Sequence, residues 1–253
     1  MIKKGLIITL SVLSFQCLAQ LETSADFKRQ VYDRVYTLGV IGHSRGYAIN
    51  GRYLKFQDGF NLHGLEIDLT KLRHPKEVRT PNQFFSNSRG YVYGRLNSFY
   101  SVRAGYVRER ILYDKTDQGT VSIALTYAGG ASLGLLKPIY LQVFEETRPG
   151  SPISILTTVR YNPEEHNVSN IYGEANFFKG FGEMSLKPGI YGKVGFVFDF
   201  NLLDRKVTSL EVGALYDLFF TEVPIFYEED GNDINEIGFF QLYVAVNFGY
   251  KKS

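Results

Sequence analysis

A regular alternation of apolar and polar residues is the feature that most constrains how this chain can fold. In the segment 240–248, one face is wholly apolar and the other is mostly polar or small. The apolar face holds Phe240, Leu242, Val244, Val246 and Phe248, and the opposite face holds Gln241, Tyr243, Ala245 and Asn247. Successive side chains of a strand point to opposite faces. The pattern therefore predicts a strand whose two faces meet different environments.

The same two-residue period recurs along the chain, and helical periodicity is scarce. It predicts an all-β antiparallel fold of eight strands, with ten as the alternative. The predicted strands are 34–42, 47–56, 64–69, 100–109, 121–128, 190–200, 209–220 and 240–248. The composition agrees, because 20 Phe and 18 Tyr accompany only two Met, and aromatic residues favour strands. A single Cys excludes a disulfide scaffold and a Cys-based zinc site.

The connections between the predicted strands differ in length in an ordered way. Those at 57–59, 114–118 and 201–206 are short, whereas those at about 73–95, 137–183 and 221–235 are long. Only the first connection, 43–46, breaks this alternation. Short turns at one rim and long external loops at the other are typical of an outer-membrane β-barrel. An even number of strands would place both termini at the short-turn, periplasmic rim.

The first nineteen residues have the layout of a secretory signal peptide. Lys3 and Lys4 precede an apolar run at 5–15, and Ala19 ends a cleavage site before Gln20. The run is too short for a transmembrane helix. An acylated Cys17 is the other alternative, although bulky Phe15 and polar Gln16 precede it. The prediction is a cleaved signal peptide at 1–19 and an outer-membrane barrel domain at 20–253.

Removal of the signal peptide changes the charge of the chain. It takes away two Lys and no acid, so the formal net charge of +2 falls to zero. This balance gives no electrostatic reason to expect nucleic acid as a partner. No other apolar run approaches the length of a membrane-spanning helix.

Charged residues on the faces opposite the apolar stripes are the main candidate site. In a membrane barrel these faces would line the lumen. They carry Arg52, Glu66, Asp68, Arg103, Glu109, Lys193, Asp199, Glu211 and Asp217. The side chains of a narrow barrel fill its lumen, so an ion-pair network that closes it is the first interpretation. A charged path for small cations is the alternative, because acids outnumber bases.

A secreted β-sandwich or soluble barrel would instead turn the apolar faces inward. Two patterns favour the membrane. Tyr and Phe cluster near the ends of the apolar stripes, as in interfacial girdles. The opposite faces carry charges in the middle of strands, which a soluble core would rarely accommodate.

Three further segments attract attention. Phe177, Phe178 and Phe181 place three aromatic rings in one loop, which is expected to cover the barrel mouth, anchor at the interface or contact a partner protein. A basic cluster in the third loop could contact lipopolysaccharide, and it contains Lys71, Arg73, Lys76 and Arg79. The Gly-rich segment 129–138 lacks the Gly-Lys-Ser/Thr of a phosphate loop. It is expected to carry the fifth strand to the outer rim, where Pro138 ends it.

No catalytic or metal site is predicted, and no cofactor. The four His have no metal-ligand spacing, and no Ser is recognisably paired with a His and an acid. The acidic segment 227–233 lacks EF-hand spacing and is expected to be a solvated loop.

Several short stretches resemble a family of small outer-membrane β-barrel proteins of Bacteroidetes. They are HPKE (74–77), YVYGRLNSFY (91–100), GGASLGLLKPIYL (129–141), FFKGFGE (177–183) and NFGY (247–250). The C-terminal strand is similar to the sorting strand that such proteins present to the barrel-assembly machinery. The resemblance implies a barrel in the outer membrane of a Gram-negative bacterium. It implies no activity and no residue roles.

The expected function is non-enzymatic. We expect a structural or accessory role in the envelope, with outer-membrane lipid, lipopolysaccharide, the assembly machinery and an envelope protein as partners. The alternatives are a narrow channel for small solutes or ions, and a lipid-modifying enzyme.

Overall fold

The computed structural model describes residues 32–75, 77–85, 88–114, 121–146, 154–200, 205–227 and 235–252. The predicted signal peptide, Lys76 and residues 228–233 of the acidic segment lie outside this described part of the chain. No helix in the described ranges is both long and apolar enough to cross a membrane.

Eleven strands and one short helical turn form the described structure. In chain order the strands are β1 (Arg34–His43), β2 (Gly46–Phe56), β3 (Asn61–Leu72), β4 (Asn97–Tyr113), β5 (Ser122–Pro138), β6 (Tyr140–Glu146), β7 (Ser154–Arg160), β8 (Ile171–Glu174), β9 (Ser185–Asp199), β10 (Lys206–Val223) and β11 (Glu236–Lys252). A 3-10 turn at Phe181–Glu183 precedes β9.

Eight of these strands close into an antiparallel barrel in the order β1-β11-β10-β9-β5-β4-β3-β2. Each barrel strand contains most or all of one predicted segment, so the eight-strand prediction is confirmed. The barrel closes through β1 and β11, where Arg34 pairs with Lys252 and His43 with Tyr243. As predicted, β5 runs through the Gly-rich segment and ends at Pro138.

The barrel has two different rims. At the terminal rim lie the start of β1, the end of β11 and the strand ends on either side of the connections 57–60, 114–121 and 200–205. At the loop rim lie the tight turn 44–45 and the strand ends on either side of the connections 73–96, 139–184 and 224–235. Both termini of the barrel therefore lie at the short-connection rim, as the strand parity predicts. Gly46 has a φ of +147°, and a Cβ there would collide with the backbone of Lys71.

The long connection between β5 and β9 differs from the prediction of an irregular loop. It contains β6, β7 and β8, which form a separate three-stranded sheet in the order β7-β6-β8. Its buried side, together with the preceding loop, forms a cluster of Tyr91, Ile139, Leu141, Val143, Tyr161 and Ile171. This burial explains why the segment is ordered into strands. Tyr161 is 5% exposed, and burial raises its pKa to about 12.

The faces of the barrel strands follow the predicted parity. Large apolar side chains point outward and stay exposed, and the charged positions point inward. The alternation alone would suggest a barrel interior that is polar throughout. The interior instead has an apolar cluster at each of its two ends. At the terminal rim the cluster contains Val35, Leu54, Leu62, Val107 and Val207. At the loop rim it contains Leu72, Val92, Phe99, Leu136, Phe219, Val223, Ile225, Phe226 and Phe239.

Candidate functional site

The candidate site is the charged layer inside the barrel, between the two apolar clusters. Period-two geometry aims alternate residues of five strands at the lumen. Seven of the nine predicted lumen residues are buried there: Arg52 on β2, Glu66 and Asp68 on β3, Arg103 on β4, Lys193 on β9, and Glu211 and Asp217 on β10. They form one continuous chain of ion pairs. The chain runs Glu211, Arg52, Glu66, Lys193, Asp68, Arg103, Asp217.

Arg52 is the centre of the half nearer the terminal rim. Its two terminal nitrogens donate to the two carboxylate oxygens of Glu211 at 2.6 and 2.9 Å, and its Nε donates to Glu66 at 3.0 Å. Such a bidentate pair is among the stronger hydrogen-bonded arrangements in proteins. Lys193 donates to the same Glu66 oxygen from 2.9 Å. Glu66 therefore joins the two cations.

Arg103 has the corresponding role in the half nearer the loop rim. It donates to both oxygens of Asp217 at 2.8 and 2.6 Å, and to the Thr70 hydroxyl at 2.9 Å. Gln241 donates to Asp217 at 2.7 Å. Asp68 lies between the halves, 3.6 Å from Lys193 Nζ and 3.9 Å from Arg103. Three cations thus face four carboxylates across the lumen, and neither oxygen of Asp68 has a hydrogen-bond partner among the described residues.

Two tyrosines complete the network, and three glycines make room for them. Tyr191 donates to Glu66 at 3.0 Å, and Tyr243 donates to Glu211 at 2.6 Å. A Cβ at Gly105 would collide with the Tyr191 hydroxyl, and one at Gly195 would lie 2.5 Å from the Tyr243 hydroxyl. Gly213 likewise has the Tyr243 hydroxyl 2.8 Å from its Cβ position.

The two remaining predicted lumen residues lie outside this chain of ion pairs. Asp199 approaches the terminal rim, where its carboxylate is 3.5 Å from Lys251 Nζ. Glu109 is half-buried on β4, and in the strand register it lies opposite Leu62 on β3 and Thr126 on β5. The structure thus gathers seven of the nine predicted residues into one network and holds two nearer the terminal rim.

Apolar side chains close both ends of the charged layer. Toward the loop rim, Phe99, Phe219 and Phe239 form a triangle with ring centroids 5.2 to 5.8 Å apart. Two residues of the 224–235 connection, Ile225 and Phe226, join the same cluster. Asn235 fixes them there by accepting hydrogen bonds from both backbone N–H groups. A filled apolar layer opposes the passage of hydrated ions.

The three predicted loop aromatics form one exposed cluster beside the end of β5. The rings of Phe177, Phe178 and Phe181 lie 5.3 to 6.2 Å apart. Lys137 Nζ lies over two of them, 4.7 Å from the Phe177 centroid. Gly180 takes a φ of +86° at the turn between these rings. The structure thus presents them together at the loop rim, where Phe178 is 77% exposed.

The basic residues of the predicted lipopolysaccharide contact differ in the groups that they contact within the protein. Lys71 lies with Nζ 5.7 Å from the Tyr100 ring. Arg73 donates its backbone N–H to the Arg45 carbonyl. Arg79 pairs with Glu174 at 3.2 Å, which satisfies part of its charge within the protein. Contact with lipopolysaccharide stays a prediction.

The histidines occupy separate environments. His74 packs against Phe226 with ring centroids 5.1 Å apart, and His166 Nδ1 accepts the backbone N–H of Asn162. Among the described residues, no group of three or more His, Cys, Asp or Glu is arranged to hold a metal ion.

Comparison with protein-family models and with curated proteins finds no match to this chain. The resemblance to the Bacteroidetes barrel family therefore stays a prediction.

Proposed function

We propose that the chain is an integral outer-membrane β-barrel with a closed lumen and a structural or accessory role in the cell envelope. The observation that carries this proposal is the inverted polarity of the barrel. Its ion pairs lie inside, and its outward faces expose large apolar side chains. Those that are about half exposed or more include Leu38, Val40, Ile49, Leu65, Ile67, Leu69, Ile190, Val194, Phe196, Leu242, Val244 and Phe248.

A hydrocarbon environment accounts for both features. A continuous apolar surface of this extent would associate in water, whereas lipid solvates it. Closure pairs the backbone groups of every barrel strand, which is the condition for a sheet in lipid. Export through the predicted signal peptide and insertion by the barrel-assembly machinery complete the proposal.

The filled lumen supports a structural rather than a conducting role. Seven of the inward charges form one chain of ion pairs, and an apolar cluster lies at each end. A narrow cation path remains the rival, favoured by the excess of inward acids over bases. The three exposed loop aromatics support an accessory role, since they offer an envelope protein a compact apolar contact at the loop rim.

Three measurements test the proposal in sequence. N-terminal sequencing of protein from native membranes should begin at Gln20, and the protein should fractionate with outer membranes. Unboiled and boiled samples should migrate differently on a denaturing gel, as closed barrels do. A single band, or recovery in the soluble fraction, would refute the membrane barrel.

Affinity purification from native membranes then tests the accessory role. We expect a stoichiometric envelope protein to be recovered with the wild-type chain, and to be lost with Phe177→Ser/Phe178→Ser. A matched variant, Phe84→Ser, removes another exposed aromatic (72% exposed) and should retain the partner. Recovery of the barrel alone would favour an autonomous structural role.

A further inference from the structure

Three rows of outward side chains cross the seam of the barrel at the terminal rim. On β11, β1 and β2, antiparallel pairing places Lys252, Arg34 and Lys55 side by side. Two residues further into the barrel, the same pairing aligns Tyr250, Tyr36 and Tyr53. The third row holds Phe248, Leu38 and Gly51. Outward polarity therefore changes from cationic to aromatic to apolar along the strands.

The cationic row is unbalanced. Like charges directly opposite one another on adjacent strands are destabilising, yet three cations are adjacent here. Asp33 is the acid described beside them, 3.2 Å from Arg34 Nε and 3.9 Å from Lys55 Nζ. The pairing extends the row to His63 and Arg108 on the next two strands. The surface therefore has an excess of positive charge that an external anion would neutralise.

The aromatic row is compact and marks an interface. Tyr36 stacks on Tyr250 with ring centroids 5.2 Å apart, and its centroid lies 5.1 Å from that of Tyr53. Tyrosines favour the boundary between water and hydrocarbon, because the ring is apolar and the hydroxyl is polar. The cations consequently lie at headgroup depth, and the third row lies in hydrocarbon.

A groove of about 930 Å³ lies over the second and third rows. Its floor is low because Gly51 and Ala104 project little, and larger side chains border it, among them Leu38, Ile67, Tyr106 and Phe248. A Cβ built on Gly51 would have one neighbour within 4 Å, a methyl of Ile67 at 3.8 Å. The groove is thus open outward and apolar.

Among the described residues, the terminal ends of β5 and β9 lack this arrangement, whereas Lys206 on β10 pairs with Tyr250 and Arg108 on β4 contacts Tyr106 and Tyr127. At the terminal ends of β5 and β9 the outward pair is Ile123 and Phe198, and neither is charged. The row of three cations, the row of three tyrosines and the groove therefore coincide where β11, β1 and β2 meet, and the described ends of β5 and β9 differ from that surface.

We infer that this surface binds an anionic glycerophospholipid of the leaflet at the terminal rim. The headgroup phosphate contacts Arg34, Lys55 and Lys252, where the guanidinium binds phosphate oxygens in a bidentate manner. The glycerol region lies against the tyrosine row, and an acyl chain occupies the groove over Gly51. The inference rests on the proposed membrane location and specifies which lipid the barrel selects.

Titration of the lipid-stripped barrel with phosphatidylglycerol or phosphatidylcholine of identical acyl chains tests the inference. Native mass spectrometry gives the apparent Kd for each lipid. We expect phosphatidylglycerol to bind at least about tenfold more tightly, since each basic residue near a membrane surface adds to the attraction for anionic lipid. Arg34→Gln/Lys55→Gln/Lys252→Gln should abolish that preference. The control Arg160→Gln, at an exposed position of β7 in the connection at the loop rim, should retain it.

A second pair of variants tests the groove. Gly51→Phe fills it and should weaken binding of phosphatidylglycerol about tenfold. Gly192→Phe adds the same ring at an outward glycine on β9, where a Cβ has nothing within 4 Å, and should leave the affinity unchanged. Equal losses in both variants would overturn the assignment of the groove.

Failure of the lipid site and failure of the membrane proposal give different results. A chain that shows no heat-modifiable band and does not insert into vesicles refutes the membrane barrel. A chain that inserts but binds both lipids equally, or whose triple variant still prefers phosphatidylglycerol, refutes the lipid site.

Discussion

Replacement of Arg52 by Met should destabilise the barrel by about 3 to 5 kcal/mol, the usual range for breaking a buried ion pair by removal of one partner. The Arg52 and Glu211 side chains are 3% and 0% exposed. The substitution would leave Glu211 with only the hydrogen bonds from Tyr243 and Asn247. Glu66 would keep Lys193 and Tyr191 as partners. The loss therefore falls mainly on Glu211, which loses its direct ion pair with Arg52 and keeps only the longer-range attraction of Lys193.

Two control variants separate the cost of leaving a buried charge unpaired from the cost of losing the arginine side chain itself. Arg52→Met/Glu211→Met removes both charges, and replacing a buried pair by apolar residues is often neutral or stabilising. The double variant should recover most of the lost stability. Arg79→Met breaks the pair with Glu174 at the loop rim, where the Arg79 side chain is 64% exposed. It should change stability by less than about 1 kcal/mol.

Urea titration of the refolded barrel in detergent micelles provides the assay. The chain has no Trp, so the folded fraction is followed by far-UV circular dichroism and by heat-modifiable gel migration. The free energy of unfolding comes from linear extrapolation. A change below about 0.5 kcal/mol for Arg52→Met would refute the reasoning, because it would place Arg52 and Glu211 in the range of solvated surface pairs.

Three other substitutions test separate parts of the structure. Gly105→Val should prevent or strongly destabilise folding, because the valine side chain would collide with Tyr191. Gly192→Val, on the open outward face, should fold normally, as judged on a heat-modifiability gel. Normal folding of both variants would contradict the packing of the lumen. Tyr161→Phe removes the hydroxyl that accepts the Gly94 N–H and should cost about 1 kcal/mol in urea at neutral pH. The pKa of Tyr161 is raised to about 12 in the folded state. Its contribution to the free energy of unfolding is therefore fully present below the unfolded pKa near 10 and is lost as pH rises through 12. Identical dependence of stability on pH above 10 in the wild type and in Tyr161→Phe would contradict this. Phe178→Ser, at a 77% exposed position, should change stability by no more than about 0.5 kcal/mol, and a larger loss would show that the loop aromatics support the fold.

The barrel could be predicted from the sequence because one rule governs it. The alternation predicts that Leu242 and Ile67 point outward and that Gln241 and Glu66 point inward. A slip of one residue in the register would reverse the direction of every side chain in a strand. Strand parity also fixed the position of the termini. These features depend on local pattern and on chain closure, so the sequence alone is sufficient.

The alternation does not predict which charged side chains pair with one another inside the lumen. Arg52 and Glu211 lie far apart in sequence, and their pairing depends on the register across the closed barrel. The inward position of Phe99 and Phe219 could have been predicted, because they share parity with Arg103 and Asp217. The same parity puts Tyr191 and Tyr243 on inward faces, but only the structure shows which carboxylates they contact.

The sheet of β6, β7 and β8 was missed for another reason. Its strands are short, and they pack on the loop before β4 rather than on a long alternating neighbour. Tyr140–Glu146 and Ser154–Arg160 do contain β-favouring residues, which is the signal that could have revealed them. Their pairing is a tertiary effect that no local period encodes.

The central claim is that the barrel lies in lipid with a closed lumen, and planar-bilayer recording of the heat-modifiable wild-type protein tests it most directly. The filled charged layer and the two apolar clusters predict that inserted protein produces no steady single-channel openings. A reproducible unit conductance with cation selectivity, abolished by substitution of the inward carboxylates, would contradict the closed lumen and establish a narrow ion path.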